Sequence, residues 1–268
     1  MPRMFIFGLG YTASRIAAAL RLRGWEVIAT GRDGALSFDD TGNVRLALAG
    51  SSHVLSSVPP QGDGLDPVLE AYGDALRGNG GAGKWLGYLS STGVYGDCGG
   101  AWVDETAPTG KGRRTARAEA DAEWMAMGAR VFRLPGIYGP GRSALDRVRE
   151  GKAHSIDLPE QVFSRAHVDD IVTGVIAALE AGDKALTGAY NLADDLPCHQ
   201  NAVIEEACRL LRLPLPPLVT LEQANLSPMQ RGFYAENRRV ANGKAKRVLG
   251  WRPKYATFCE GLRGLVGL

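Results

Sequence analysis

The stretch GKGRRTARAEADAEW (110–124) sets Lys111, Arg113, Arg114 and Arg117 in the first turns of a segment that reads as a helix. Helix N-termini carry partial positive charge and favour Asp or Glu, so a cluster of cations there needs a reason. At about 100° per residue, Arg113 and Arg117 share a side with Ala116, Ala120, Trp124 and Met127, the face that should pack. A guanidinium stays charged in proteins and only donates hydrogen bonds. The residues alone leave three readings: an anion site, solvated arginines with no role, or partners for Glu119, Asp121 or Glu123.

A second constellation is GLGYTA (8–13), which follows the apolar run RMFIFG and opens a helix. Gly8 permits a tight turn, Gly10 lets the backbone approach a pyrophosphate, and small Ala13 lets the helix pack close to the strand. The phosphates would then sit over free N–H groups at the helix start, with Leu9, Tyr11 and Thr12 completing the turn. An NAD site usually has an acidic residue about 20 residues further on. Here the sequence is ATGRD, with Arg32 followed by Asp33. An arginine suits a 2′-phosphate through charge-assisted hydrogen bonds, whereas Asp33 would serve ribose hydroxyls. NADP is therefore expected ahead of NAD.

These residues need positioning elements. RMFIFG, WEVIATGR, ALSF, SHVLSSVPP, KWLGYLSS and ARVFRLPG read as strands. YTASRIAAALRLRG, TGNVRLALAG, DPVLEAYGDALR and residues 113–128 read as helices between them. Strands that are nearly continuous in apolar residues and alternate with helices argue for a parallel sheet covered on both faces. The expected fold is α/β, a doubly wound Rossmann domain over 1–140 and 162–194. A small substrate-binding region would comprise 141–161 and 195–268, where proline-rich links such as LPLPPL join helices.

With 268 residues, 45% of them hydrophobic, the chain can bury a large core. A net charge of +2 gives no case for nucleic acid or an anionic membrane. No run approaches the roughly 18 apolar residues of a membrane span. The four cysteines are scattered without a C-x-x-C pair, so neither a disulfide framework nor a zinc site is indicated. A cytoplasmic protein without a metal is the expectation.

Six ordered segments resemble the extended short-chain dehydrogenase/reductase family, which includes nucleotide-sugar epimerases and dehydratases. They are YLSSTGVYGD (88–97), DETAP (104–108), FRLPGIYGPGR (132–142), FSRAHVDDIVTGVIAAL, GAYNLADD and KAKRVLGWRPKYATFCEGL. The short chain and its compressed second-to-fourth-strand connection look like the family's atypical members. The resemblance implies a serine at the end of strand five that hydrogen-bonds the substrate carbonyl, which falls on Ser91. It also implies a Tyr-x-x-x-Lys pair as proton donor and ribose holder. That pair is absent, because none of the eight tyrosines precedes a lysine by four residues. Arg113 and Arg117 stand in its place. The resemblance further implies cofactor contacts from Ser57, Val58 and Pro59 within SSVPP, and from Leu134.

The function expected on this basis is an NADP-dependent oxidoreductase or epimerase/dehydratase-like enzyme acting on a small molecule, anionic by the arginines or nucleotide-sugar-like by the resemblance. A non-catalytic NAD(P)-binding sensor or scaffold is the alternative. The family's habit of pairing through two helices of the sheet domain implies a homodimer. Tyr95 and Tyr138 are candidate substitute acids, against the blander reading of packed aromatics.

Overall fold

The computed structural model describes residues 1–62, 64–77, 83–112 and 115–267. Strand β1 (Arg3–Phe7), helix α1 (Tyr11–Leu22), β2 (Glu26–Ala29), α2 (Thr41–Ala49), β3 (His53–Ser56), α3 (Pro67–Arg77) and β4 (Trp85–Ser91) alternate along the first third. Next come β5 (Trp102–Val103), α4 (Thr115–Ala126), β6 (Arg130–Leu134), β7 (Gly136–Tyr138), α5 (Ala144–Arg149), β8 (Ser155–Ile156), β9 (Arg165–His167) and α6 (Val168–Glu180). The chain then forms β10 (Gly188–Asn191), α7 (Gln200–Leu211), β11 (Leu218–Val219), α8 (Pro228–Phe233), β12 (Arg239–Val240), α9 (Gly243–Val248) and α10 (Phe258–Leu265).

Six strands make one parallel sheet in the order β10-β6-β4-β3-β1-β2. The fold is α/β and Rossmann-like, as expected. After β2 the chain crosses back over β1 to place β3 on its other side, so the order reverses between β1 and β3. In such sheets ligands bind in the crevice at the carboxyl ends of the strands at this point.

Both faces are covered. Ile16, Ala17 and Leu20 of α1 join Ile171, Val175 and Ile176 of α6 on one face. Val44, Val68, Tyr72 and Trp124, from α2, α3 and α4, fill the other around Phe5, Phe7 and Val54. A separate core gathers Tyr138, Leu145, Val148, Val203, Ile204, Phe258 and Leu262 beneath α5, α7 and α10. Among the described residues, no helix is long and apolar enough to cross a membrane.

One expected element is corrected. ALSF forms no sheet strand, and Leu36 makes only an isolated bridge to Thr30. A parallel strand needs a crossover of about a dozen residues or more, and Leu36 follows Ala29 too soon. The helix expected over 113–128 starts at Thr115 among the described residues, and Arg113 and Arg114 lie outside them.

Candidate cofactor cleft and active site

The glycine turn sits where β1 ends, at the reversal of the sheet. Gly8 has φ +80°, and a Cβ there would stand 2.9 Å from Val58 Cγ2, so both conformation and packing call for glycine. Thr30, at the end of β2, pins the turn. Its Oγ1 accepts from Gly8 N at 3.2 Å and its carbonyl from Leu9 N at 2.9 Å. Gly10 differs. Its φ is an ordinary −87° and a Cβ would meet nothing within 4 Å. Neither conformation nor packing inside the chain requires glycine there. That leaves a bare backbone at an exposed helix start, and α1 has no side-chain cap to compete for its N–H groups. Thr12 and Ala13 are buried, with Ala13 seated in the core against the sheet.

Tyr11 opens α1 and reaches across the cleft. Its hydroxyl donates to the Pro140 carbonyl at 3.1 Å, and the Arg15 guanidinium covers its ring at 4.0 Å. Arg142 approaches the same ring at 5.6 Å. The turn is thereby tied to the loop after β7, a link that no sequence spacing announced.

The other expected cofactor residues line the same rim. Ser57 donates its N–H to the Phe7 carbonyl at 2.9 Å, which carries Ser57, Val58 and Pro59 up from β3 beside Gly8. Arg32 and Asp33 are both exposed just beyond β2. Leu134 ends β6 and is in register with Ser91 at the end of β4.

Ser91 is half-buried. Its Oγ accepts from Gly93 N at 3.1 Å, capping the 3-10 turn Thr92–Tyr95. That use leaves its hydroxyl proton available for donation. Beneath it lies a fully buried polar network. Asp121 of α4 accepts from Ser90 Oγ (2.7 Å), Arg133 Nη2 (2.7 Å) and Arg133 Nε (3.1 Å). Arg133 Nη1 donates to Tyr95 Oη at 3.0 Å, and Tyr95 Oη donates to Asn191 Oδ1 at 2.8 Å. The network fixes α4 against β4, β6 and β10, and so sets the position of Ser91. Burial pushes the Tyr95 phenol up to about 12. With its hydroxyl committed on both sides, Tyr95 is structural and not a substitute acid.

Tyr138 is excluded on different grounds. Its ring packs edge-on against His167 at 5.2 Å, and its hydroxyl is buried against Gly261 of α10. Burial, with the Asp194 charge second, raises its pKa steeply. His167 caps α6 by accepting from Asp169 N at 3.2 Å. Asp170 accepts from the backbone N–H of Lys254 (2.6 Å) and Tyr255 (3.1 Å).

Among the cations, Arg117 does point inward. Its Nη1 donates to Tyr88 Oη at 3.2 Å and to the Leu89 carbonyl at 3.4 Å, at the carboxyl end of β4. Lys111 is exposed. Asp121 and Glu123 are partnered by Arg133 and Arg77, so Arg117 is not their counter-ion.

A cavity of about 290 Å³ opens in the C-terminal region, lined by Ile156, Leu158, Phe163, Tyr234, Gln161 and Asn201 among others. Gln161 Nε2 donates to the Glu236 carbonyl (2.8 Å). Arg238 pairs with Glu236 (2.9 Å) and donates to Gly96 O (2.6 Å). These contacts link the cavity to the loop that follows Ser91.

No protein-family model matches the chain. A curated Streptomyces protein, 3-diazoavenalumate denitrifying reductase, is 32% identical over 166 residues, spanning 55% of this chain and 52% of that protein. The chain thus spans about half the length of the curated relative it matches. Among solved structures, a conserved Silicibacter pomeroyi protein of unknown function is 40% identical with a TM-score of 0.86, covering 99% of this chain and 98% of that one. The dTDP-glucose 4,6-dehydratase of Bacillus anthracis, solved with NAD, is 17% identical with a TM-score of 0.76, covering 99% and 96%. The chain belongs to one family with the Silicibacter pomeroyi protein, and its fold is that of the Bacillus anthracis dTDP-glucose 4,6-dehydratase.

Proposed function

We propose that this chain is an NADP-dependent oxidoreductase of the atypical short-chain dehydrogenase/reductase type, acting on a small anionic substrate. The observation that carries the reading is the bare Gly10 backbone at the uncapped start of α1. Exposed Arg32 on the adjoining strand end would receive a 2′-phosphate. The Bacillus neighbour was solved with NAD, and Arg32 is the reason to rank NADP first here.

A bound nicotinamide would supply the redox step by giving or taking a hydride. The other tasks fall to the chain. The Ser91 hydroxyl would donate a hydrogen bond to the substrate's polar atom. Arg117 would donate to ribose hydroxyls or to an anion. The cavity tied to the loop after Ser91 by Gln161, Glu236 and Arg238 would receive the far end of the substrate.

The lack of an available tyrosine acid narrows the chemistry. Tyr95 and Tyr138 are both locked, and Arg117 cannot give up a proton. The site suits an acceptor that needs no proton from the protein. A diazo compound, the substrate class named for the Streptomyces reductase, is such an acceptor when it reacts as a diazonium cation. The hydride's electron pair forms the new carbon–hydrogen bond, the carbon–nitrogen bond breaks, and dinitrogen leaves with that bond's pair, so charge balances without a proton.

Calorimetric titration of NADPH and NADH into wild-type protein and Arg32→Ala tests the cofactor assignment. Wild type should favour NADPH, and the variant should lose about 1–3 kcal/mol of that binding, as expected for a charged hydrogen bond. If wild type binds neither nucleotide, the reading fails.

A further inference from the structure

Arg117 stands apart from the other cations in how it is held. Its Nη1 is tethered by Tyr88 Oη and the Leu89 carbonyl. Among the described residues, its Nε and Nη2 have no hydrogen-bond partner. Tyr88 is itself fully buried and immobilised. Its ring stacks on Trp124 with centroids 5.4 Å apart and planes within 8°. Trp124 Nε1 donates to Asp66 Oδ2 at 3.1 Å, and Asp66 Oδ1 caps α3 by accepting from Val68 N and Leu69 N. A continuous rigid stack therefore runs from the first turn of α3, through Trp124 and Tyr88, to one nitrogen of the Arg117 fork. It ends beside the reversal point of the sheet, with Tyr88 in register with Ser56, the residue before Ser57.

A lysine ammonium is a point charge on a flexible stem and needs no such support. A guanidinium has a planar fork whose direction matters. Fixing one nitrogen leaves the opposite edge of the fork oriented at no further entropic cost when a ligand arrives. We propose that Tyr88 is the positioning residue for Arg117, turning the arginine's free edge toward the ribose–phosphate part of the dinucleotide. In this role Tyr88 never touches the ligand. It makes an arginine usable where the fold elsewhere employs a lysine. The inference rests on the nicotinamide-dinucleotide reading given above.

The test is a double-mutant cycle on the full chain, read by calorimetric NADPH affinity alongside thermal melting. Tyr88→Phe keeps the stacked ring and removes only the hydroxyl. It should weaken NADPH binding about fivefold, the size of an ordinary hydrogen bond's net contribution, since its effect is indirect, with little change in melting temperature. Arg117→Gln should weaken binding by about tenfold or more, as for a hydrogen bond to a charged group. The double variant should be no weaker than Arg117→Gln alone, because Tyr88 acts only through Arg117. Tyr88→Phe should instead be additive with Arg32→Ala, whose side chain lies at a separate strand end.

Wild-type affinity in Tyr88→Phe, or full additivity with Arg117→Gln, overturns the inference. Should Tyr88→Phe fail to fold, Trp124→Phe carries the test. It loosens the ring stacked on Tyr88, so it should weaken NADPH binding in the wild-type background and not in Arg117→Gln, and equal weakening in both would overturn the proposal. Failure of the underlying reading is distinct: wild type itself would then bind neither NADPH nor NADH.

Discussion

Two buried polar clusters flank the C-terminal ends of the sheet strands, and they are built on opposite principles. In the Asp121–Arg133–Tyr95–Asn191 cluster, both carboxylate oxygens and the guanidinium nitrogens find partners at 2.7–3.1 Å. The chain of bonds closes with Asn191 Nδ2 donating to the Ala241 carbonyl at 3.0 Å. In the Asp194–Tyr138–His167 region, the Tyr138 hydroxyl and His167 Nε2 are buried without a hydrogen-bond partner among the described residues, and the two Asp194 oxygens meet only the weak approach of the Leu196 and Arg165 backbone N–H groups. Arg165 is the cation nearest in effect to Asp194, but its Nη1 and Nη2 are spent on Phe163 O, Cys198 and Gln200. A satisfied buried network specifies one geometry, whereas unsatisfied groups are costly when charged. The first cluster thus holds Ser91 and α4 in place at any ordinary pH. The second makes the junction between the sheet domain and α10 sensitive to protons.

The sharpest way to break this contrast is Asp121→Asn. The variant leaves the Arg133 charge buried without its counter-ion and should cost about 3–5 kcal/mol, read as a shift in the urea unfolding midpoint. A loss below about 1 kcal/mol would mean that the network is not holding α4.

The second cluster should answer to pH. Burial, only partly offset by Arg165, raises the Asp194 carboxyl to about 7. A raised carboxyl pKa means that the folded state favours the protonated form. Stability is therefore full below the unfolded value and declines as pH rises through about 7. The whole titration is worth at most about 4 kcal/mol at 1.36 kcal/mol per pKa unit. Asp194→Asn should flatten the stability profile between pH 5 and 8, and an unchanged slope would assign the dependence elsewhere. His167 contributes with the opposite sign. Its pKa is lowered by burial, so its share is lost as pH falls through the ordinary histidine range.

The smallest effect belongs to Tyr95→Phe. It removes one acceptor from Arg133 and one donor to Asn191, and should cost about 1–2 kcal/mol. Melting curves measured with Asp121→Asn as background should show less than this, because the two residues share a network.

What could be read in advance follows from how far apart the partners lie. The glycine turn was legible because strand, glycines and helix are contiguous, and each residue's requirement is local. The inward face of Arg117 followed from helical pitch alone. The locked state of Tyr95 did not, because its partner Asn191 is 96 positions away and no periodicity links them. The Tyr11–Pro140 contact spans 129 positions and was equally hidden. ALSF misled because an apolar quartet reads as a strand, while the crossover length needed to reach the sheet is not visible in the four residues themselves. Tyr88 was hidden inside a run that reads simply as a buried strand. Its role comes from the hydroxyl meeting a helix that arrives later in the chain.

The order of the sheet also constrains how the protein is made. Strand β10, at the edge beside β6, is not synthesised until residues 188–191, long after β4 and its serine. Only then can Asn191 accept from Tyr95. A nascent chain emerging at about 5–20 residues per second therefore waits roughly 5–20 s between the making of Ser91 and that of Asn191 before the loop after Ser91 can be fixed. During that interval the edge of β6 and the polar atoms of Arg133 lack their final neighbours. The loop after Ser91 therefore acquires its final hydrogen bonds only once the last strand of the sheet has been made.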